Sequence, residues 1–295
     1  MDFKSGFIAI AGRPNVGKST LLNKICGEKV AITSNKPQTT RNVIKAFLTT
    51  ESFQMIFLDT PGLHEPKTKL GEFMLKAAQG SFRDVDAVVF LIEATDDKPL
   101  QSNLHAIEML KELKQPVYLV INKIDKVQKD RLFAVITTYK DLFDFKEIIP
   151  VSAVTGDGVD ILIKCLENEL QPGPKFFPDD TFTDQPERDI AAEIIREKIL
   201  TLTSEEVPHG TGVEIMIFKE RENNMIEIQA TIFCEKESHK GILIGKGGSM
   251  LKRIGSQSRV ELEHLLGTKV FLQLWVKVKP DWRNKDSMLK TLGYK

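Results

Sequence analysis

The sequence predicts an α/β protein: a doubly wound, mainly parallel sheet, followed by a smaller α+β domain. Three observations predict this. Up to about residue 170, continuous apolar runs of strand length alternate with stretches of helical spacing, as expected of a sheet covered by helices on both faces. A glycine-rich turn at 12–19 joins the first strand to the first helix. Beyond 171 periodicity lapses in a proline- and acid-rich stretch, and returns as a helix followed by two consecutive strands.

Each element of the first part follows from its pattern. Residues 6–11 are a short apolar strand running into the glycine turn, and 19–26 a helix. Residues 43–49 and 54–58 read as strands, the second ending at Asp59. Helical spacing covers 70–83, a buried-type strand 86–92, and a helix 102–113. Another buried-type strand, 117–121, ends at Asn122. A helix at 131–142, a short strand at 147–150 and a helix at 159–170 complete the part. The expected division is a domain over 1–171, a linker over 172–185, where Pro172, Gly173, Pro174 and Pro178 punctuate the chain, and a second domain over 186–295 with a basic C-terminal tail.

Bulk properties narrow the function classes. Cys26, Cys165 and Cys234 are far apart with no CxxC, which argues against a zinc site or disulfide framework and suits a reducing cytoplasm. The N-terminus runs straight into a strand, so no signal peptide is expected. Apolar runs such as 87–92 are too short to span a bilayer, which leaves peripheral contact open. The chain balances 41 basic against 41 acidic residues, yet 236–259 holds six basic residues and one acid, and 269–295 seven and two. Both windows suit a polyanion partner or an ordinary solvated surface.

Four motifs carry the chemistry, each just after a predicted strand, where ligands bind in such sheets. Gly12-Arg13-Pro14-Asn15-Val16-Gly17-Lys18-Ser19, followed by Thr20, has P-loop spacing. Its backbone N–H groups turn inward around a phosphate at a helix N-terminus. Lys18 then bridges the β- and γ-phosphates, and the Ser19 hydroxyl ligates Mg²⁺. Asp59-Thr60-Pro61-Gly62 places a carboxylate to hold the same metal through water, and the Gly62 amide to bond the γ-phosphate. Between them, 35–41 has no core pattern and reads as a mobile loop. Thr39 and Thr40 are its candidate metal-ligating hydroxyls, with Thr40 preferred.

Asn122-Lys123-Ile124-Asp125 and Ser152-Ala153 select the base. The Asp125 carboxylate accepts two hydrogen bonds from guanine, whereas adenine sets an acceptor against it, a mismatch that buried sites reject strongly. Asn122 bonds the base and ties its loop to the P-loop, the Lys123 stem lies over the base plane, and the Ala153 amide bonds guanine O6. The set points to a GTP-hydrolysing switch using GTP/GDP and Mg²⁺, with Lys18, Thr40 and Gly62 as the groups nearest the chemistry.

The second domain reads as helix 190–202, strands 212–218 and 225–234 with a turn at 221–224, a segment 240–244, then Gly245-Lys246-Gly247-Gly248, helix 249–266 and strand 269–278. That order, α-β-β-α-GxxG-α-β, is that of a type II KH fold, whose GxxG loop lets the backbone approach four single-stranded nucleotides. Ile244, Gly245, Lys246, Gly247, Gly248, Lys252 and Arg253 are the candidate RNA-binding residues. Residues 274–279 and Trp282 offer an aromatic and basic rim to RNA. On its alternating strand Trp275 reads as core.

These motifs resemble the translation-factor-like GTPases, and most closely the Era family, whose members join a P-loop GTPase domain to a KH domain. The resemblance covers essentially the whole chain. It implies a cytoplasmic monomer that binds the 3′ region of 16S ribosomal RNA, assists assembly of the 30S subunit, and associates peripherally with the inner face of the membrane. The alternative is a GTPase whose second domain binds a protein partner in signalling or cell division. One departure stands out: many GTPases place a water-orienting glutamine after the DxxG glycine, and here that residue is Leu63. Slow intrinsic turnover is therefore expected. Asn15 matches a position that coordinates K⁺ in related GTPases, and K⁺ would supply charge otherwise given by an arginine.

Overall fold

The computed structural model describes every residue except Met1, Asn35, His64, Glu65, Asp97, Asn223 and Lys295. The chain divides into two compact units, one of Met1–Glu65 with Met74–Asp184, the other of Pro66–Phe73 with Gln185–Lys295. Asn35 of the predicted loop and Asn223 of the predicted turn lie outside the described residues.

In chain order the first unit holds β1 (Lys4–Gly12), α1 (Lys18–Cys26), β2 (Ile44–Thr49) and β3 (Phe53–Asp59). Next come α2 (Lys69–Gly80), whose first turns fall in the second unit, β4 (Ala87–Glu93), α3 (Gln101–Leu110) and β5 (Val117–Asn122). Then follow α4 (Lys129–Tyr139), β6 (Glu147–Pro150), α5 (Val159–Glu167) and the two-residue β7 (Gln171–Pro172). The strands lie in the order β2-β3-β1-β4-β5-β6, with β7 beside the start of β1. Pairs from β3 to β6 are parallel, while β2 and β7 run antiparallel to their neighbours. The continuous apolar runs explain the order. β1, β4 and β5 are buried on both faces and lie centrally, with Ile8, Ile10 and Val89 packing one way and Ala9, Val88 and Phe90 the other. Strand order reverses at β1, so the loops after β1, β3, β4, β5 and β6 share one rim.

The stretch expected as a linker lies along this unit. Backbone amides of Phe176 and Phe177 donate to Gln54 Oε1 (2.8 and 3.1 Å), Gln54 Nε2 donates back to Phe177 O (2.9 Å), and the Phe177 ring stacks on Phe47 at 3.9 Å. A buried glutamine amide requires such partners. They come from more than 120 residues away, which no local pattern reports.

The second unit contains α6 (Glu187–Leu202), β8 (Gly212–Glu220), β9 (Ile226–Cys234), α7 (Glu237–Ile244), α8 (Ser249–Leu266), β10 (Val270–Val278) and α9 (Asp286–Thr291). Its sheet runs β10-β9-β8, with β8/β9 antiparallel and β9/β10 parallel. The helices cover one face, where Ile194, Ile199, Ile228, Ile232, Ile254 and Leu262 form the core. Two expectations are corrected here. Trp275, read as core, is 42% exposed, whereas Trp282, offered as an RNA rim, is fully buried with its indole N–H donating to Gly210 O at 2.8 Å. Alternation on β10 sends Leu272, Leu274 and Val276 to the core and Trp275 to the opposite face. The segment read as a basic tail includes α9, anchored by buried Leu289 and Tyr294. No described helix is long and apolar enough to cross a membrane.

Candidate functional site

The P-loop is shaped by residues in left-handed backbone: Gly12 (φ 147°), Asn15 (φ 69°) and Gly17 (φ 101°). A Cβ on Gly12 would stand 2.6 Å from Leu91 O, and one on Gly17 would collide with the Asn122 amide, so glycine is required for both conformation and space. α1 starts at Lys18, directing its N-terminal amides into the loop. The Lys18 ammonium is curled onto Gly12 O (3.1 Å) and Arg13 O (3.0 Å). Burial lowers its pKa to about 8, against the upward pull of Asp59, with Arg13 adding to the lowering. Thr20 follows on α1, half-buried.

The three residues predicted to hold the metal meet. Ser19 Oγ donates to Asp59 Oδ2 at 2.7 Å and lies 3.0 Å from Thr40 Oγ1, and Thr40 Oγ1 is 3.3 Å from Asp59 Oδ2. Asp59 is fully buried, and its Oδ1 has no hydrogen-bond partner among the described residues. Burial raises its pKa, opposed by the Lys18 charge and by the Ser19 and Thr40 hydroxyls. A buried carboxylate oxygen with no donor is costly and fits a cation-binding role. Ser19, Thr40 and Asp59 would hold Mg²⁺, which prefers oxygen ligands of this kind. The donors that meet here, two hydroxyls and one carboxylate, are all oxygens. Thr39 instead donates to Lys36 O at 2.6 Å. Thr40 and Arg41 are buried, although their segment shows no core pattern.

The DxxG segment is strapped to the P-loop. Thr60 Oγ1 donates to Ile10 O at 2.7 Å, Leu63 N to Gly12 O at 3.1 Å, and a Cβ on Gly62 would meet Pro14 at 2.7 Å. Pro61 lies between them, buried with Thr60. Leu63 is 3% exposed and packs in the core with Ala78, Phe82 and Phe90.

Asn122 is a strut between three loops: its Nδ2 donates to Val16 O (2.8 Å) and its Oδ1 accepts from Ala153 N (3.0 Å). The Ala153 amide, expected on the base, is thus engaged by Asn122. Ser152 Oγ donates to Asp125 Oδ1 at 2.6 Å and accepts from Thr155 N at 3.2 Å, which orients the exposed Asp125 carboxylate. Ile124, half-buried, opens a short turn, preceded by Lys123 at φ 66°. Lys123 Nζ reaches back to Asn15 O (2.8 Å) and to Glu93 Oε1 (2.7 Å).

Sequence reasoning missed Glu93. It ends β4, between the loops that follow β1 and β5. Its carboxylate receives Lys123, Arg13 at 3.3 Å and the Thr95 hydroxyl at 3.0 Å, while Asp96 holds Arg13 at 2.9 Å. Burial pushes its pKa up, but Lys123, Arg13 and Thr95 outweigh that and hold it below the usual value. Its signal was there: a carboxylate ending an otherwise apolar strand at the ligand rim.

In the second unit α7 ends at Ile244, half-buried, and Gly245 (φ 73°), Gly247 (φ 58°) and Gly248 (φ 80°) turn the chain into α8. A Cβ on Gly245 would stand 2.8 Å from Met250 N, while Gly247 and Gly248 face open space. Lys246, Lys252 and Arg253 are exposed. A groove of about 440 Å³ runs from Gly248 between α8 and β10, lined by Lys252, Gly255, Ser256, Arg259, Leu272 and Leu274 among others. Arg253 is not among its lining residues. Arg259, one heptad beyond Lys252 on the same helix face, is, and sequence reasoning missed it.

Residues 7–123 match the family described as 50S ribosome-binding GTPase, and 206–283 match the KH domain family. The chain is 58% identical to GTPase Era of Ruminiclostridium cellulolyticum over 295 residues, covering 100% of this chain and 99% of the relative. It is 52% identical to GTPase Era of Alkaliphilus metalliredigens, covering 100% of both. Among solved structures, Era in complex with MgGDPNP and nucleotides 1506–1542 of 16S ribosomal RNA superposes with a TM-score of 0.95 at 42% identity, covering 99% of each chain. A variant of Aquifex aeolicus Era bound to GDP·AlF4⁻ gives 0.94 at 42%, again over 99% of each.

Proposed function

The chain belongs to the Era family of GTPases and hydrolyses GTP, and from that premise we propose that it is a Mg²⁺-dependent GTP switch that binds single-stranded RNA of the 16S 3′ region and assists assembly of the 30S subunit. The observation that carries the RNA half is the Gly245–Gly248 turn opening onto the α8–β10 groove, where Lys252 and Arg259 supply charge and the glycines let a nucleotide backbone come close. The relative solved with 16S nucleotides supports the choice of RNA.

In the nucleotide site, the P-loop amides and Lys18 hold the phosphates. Ser19, Thr40 and Asp59 hold the metal, which when bound neutralises charge developing on the transferred phosphoryl group. The Gly62 amide faces the γ-phosphate. Asp125, fixed by Ser152, reads the guanine edge, and Lys123, held by Glu93 and Asn15, lies over the base. Asn122 keeps these loops in register and offers the base its second amide hydrogen. K⁺ held beside Asn15 would supply further positive charge. Equal hydrolysis rates in K⁺ and Na⁺ would remove K⁺ from the account.

The test is binding of single-stranded 16S 3′-region RNA by the full chain and by a Lys246→Asp, Gly247→Asp double variant, with GTP hydrolysis measured in parallel. Loss of RNA binding with hydrolysis retained supports the reading. Unchanged RNA binding contradicts it and favours a protein-binding second domain.

A further inference from the structure

β10 is an edge strand with two unlike faces. Leu272 and Leu274 line the groove on the helix side. On the opposite face the strand, with the residue after it, presents Phe271, Gln273, Trp275, Lys277 and Lys279, a row with two cations, two aromatics and no acid, while Lys269 just before it pairs with Glu263 of α8 at 3.5 Å. The core formed with α6, α7 and α8 lies on the other side of the strand, with Leu272, Leu274 and Val276. Trp282 and Leu292 close the face over β8's start, where a Cβ on Gly212 would lie 2.7 Å from Leu292 and 3.3 Å from the Trp282 ring, and on β9 the Thr231 and Phe233 side chains of this face are 2% and 5% exposed. Trp275 stays 42% exposed.

The surroundings hold the row ready for a polyanion. Arg221 lies over the Phe271 ring at 4.5 Å. The acid beneath, Glu227, is occupied by Arg221 at 3.1 Å, Lys219 at 3.4 Å and Gln229 at 2.6 Å. Glu214 stands two strands from Trp275 across Thr231, roughly 10 Å at ordinary strand spacing. Exposed aromatics set among cations are the usual platform on which single-stranded bases stack.

We propose that the outer face of β10 is a second stacking site for single-stranded RNA, with Trp275 as its platform and Lys277 and Lys279 on the backbone phosphates. RNA leaving the groove reaches it by crossing the sheet edge. The proposal rests on the RNA-binding reading above, and extends the footprint past the four nucleotides a GxxG groove takes.

The chain has two tryptophans, and Trp282 is buried, so a change of emission on adding RNA reports on Trp275. The full chain with GDPNP would be titrated with a four-nucleotide strand and with one of about twelve nucleotides containing it, long enough to leave a groove of four. The longer strand is expected to quench emission and the shorter not. Trp275→Ala is expected to weaken the longer strand about ten-fold, the size of a lost base stack, and Trp275→Phe to retain most of the affinity. The shorter strand should bind all three proteins alike. Tight binding of the longer strand with unchanged emission and no effect of Trp275→Ala overturns the second site, leaves the groove reading intact, and assigns the row to a protein partner. Failure of both strands to bind overturns the RNA reading, and this site with it.

Discussion

Replacing Leu63 by glutamine restores the residue that many GTPases use to orient water, and here it is expected to harm the protein rather than accelerate it. Leu63 is 3% exposed and belongs to the core that includes Phe82, Phe90 and Ala78, with its backbone tied to Gly12 O. Removing a buried leucine side chain forfeits about 1.5–3 kcal/mol of transfer free energy. An amide placed there without partners costs about 1–3 kcal/mol more. The sum is about 2.5–6 kcal/mol, large for a single substitution. For a domain of this size that lowers the melting temperature by roughly 10 °C. The assays are thermal or urea unfolding with GDP saturating, and single-turnover GTP hydrolysis. The structure predicts a marked loss of stability and no rise in the hydrolysis rate. A rate increase of ten-fold or more with stability unchanged would show that side chain 63 turns toward the γ-phosphate, and would refute the packing argument.

Lys18 gives a pH dependence whose sign follows from its downward shift. Phosphates require the charged ammonium, and burial brings its pKa to about 8, so nucleotide affinity is full below that value, falls as pH rises through it, and binding there takes up a proton. Calorimetric titration with GDP on either side of pH 8, in buffers of different ionisation enthalpy, checks both statements, and constant affinity across that range would contradict them. Glu93→Gln removes the charge that holds Lys123 and Arg13. GDP and GTP are both expected to bind about ten-fold more weakly, the size of a charge-assisted hydrogen bond, with kcat unchanged at saturation and Glu93→Asp recovering part of the loss. A fall in kcat with affinity intact would assign Glu93 a different role.

What could be read in the sequence divides along a physical line. Strands β1, β4 and β5 announced themselves because burial on both faces forces uninterrupted apolar runs. Gly12, Gly17 and Gly245 were legible because their φ angles and close neighbours tolerate no side chain. The meeting of Ser19, Thr40 and Asp59 was inferable for Ser19 and Asp59 from strand-end position. The burial of Thr40 was not, since nothing periodic surrounds it. Contacts across long sequence separations stayed hidden: Gln54 with Phe177, Glu93 with Arg13 and Lys123, and the indole of Trp282 with Gly210. The two tryptophans were exchanged for the same reason. Alternation along β10 says that Trp275 opposes its neighbours, but only the register against α8 and the C-terminal segment says which face is covered.

A GTP switch of the kind proposed requires that the guanine-nucleotide state alter RNA binding by the second domain. Thr40 shares its hydroxyl contacts with Ser19 and Asp59, so the γ-phosphate and metal act on the segment that carries it. The most direct measurement is the affinity of the full chain for single-stranded 16S 3′-region RNA, with GDP and with GDPNP at equal saturation and fixed salt. The account predicts different affinities in the two states, a difference that disappears in Thr40→Ala. Equal affinities would contradict it.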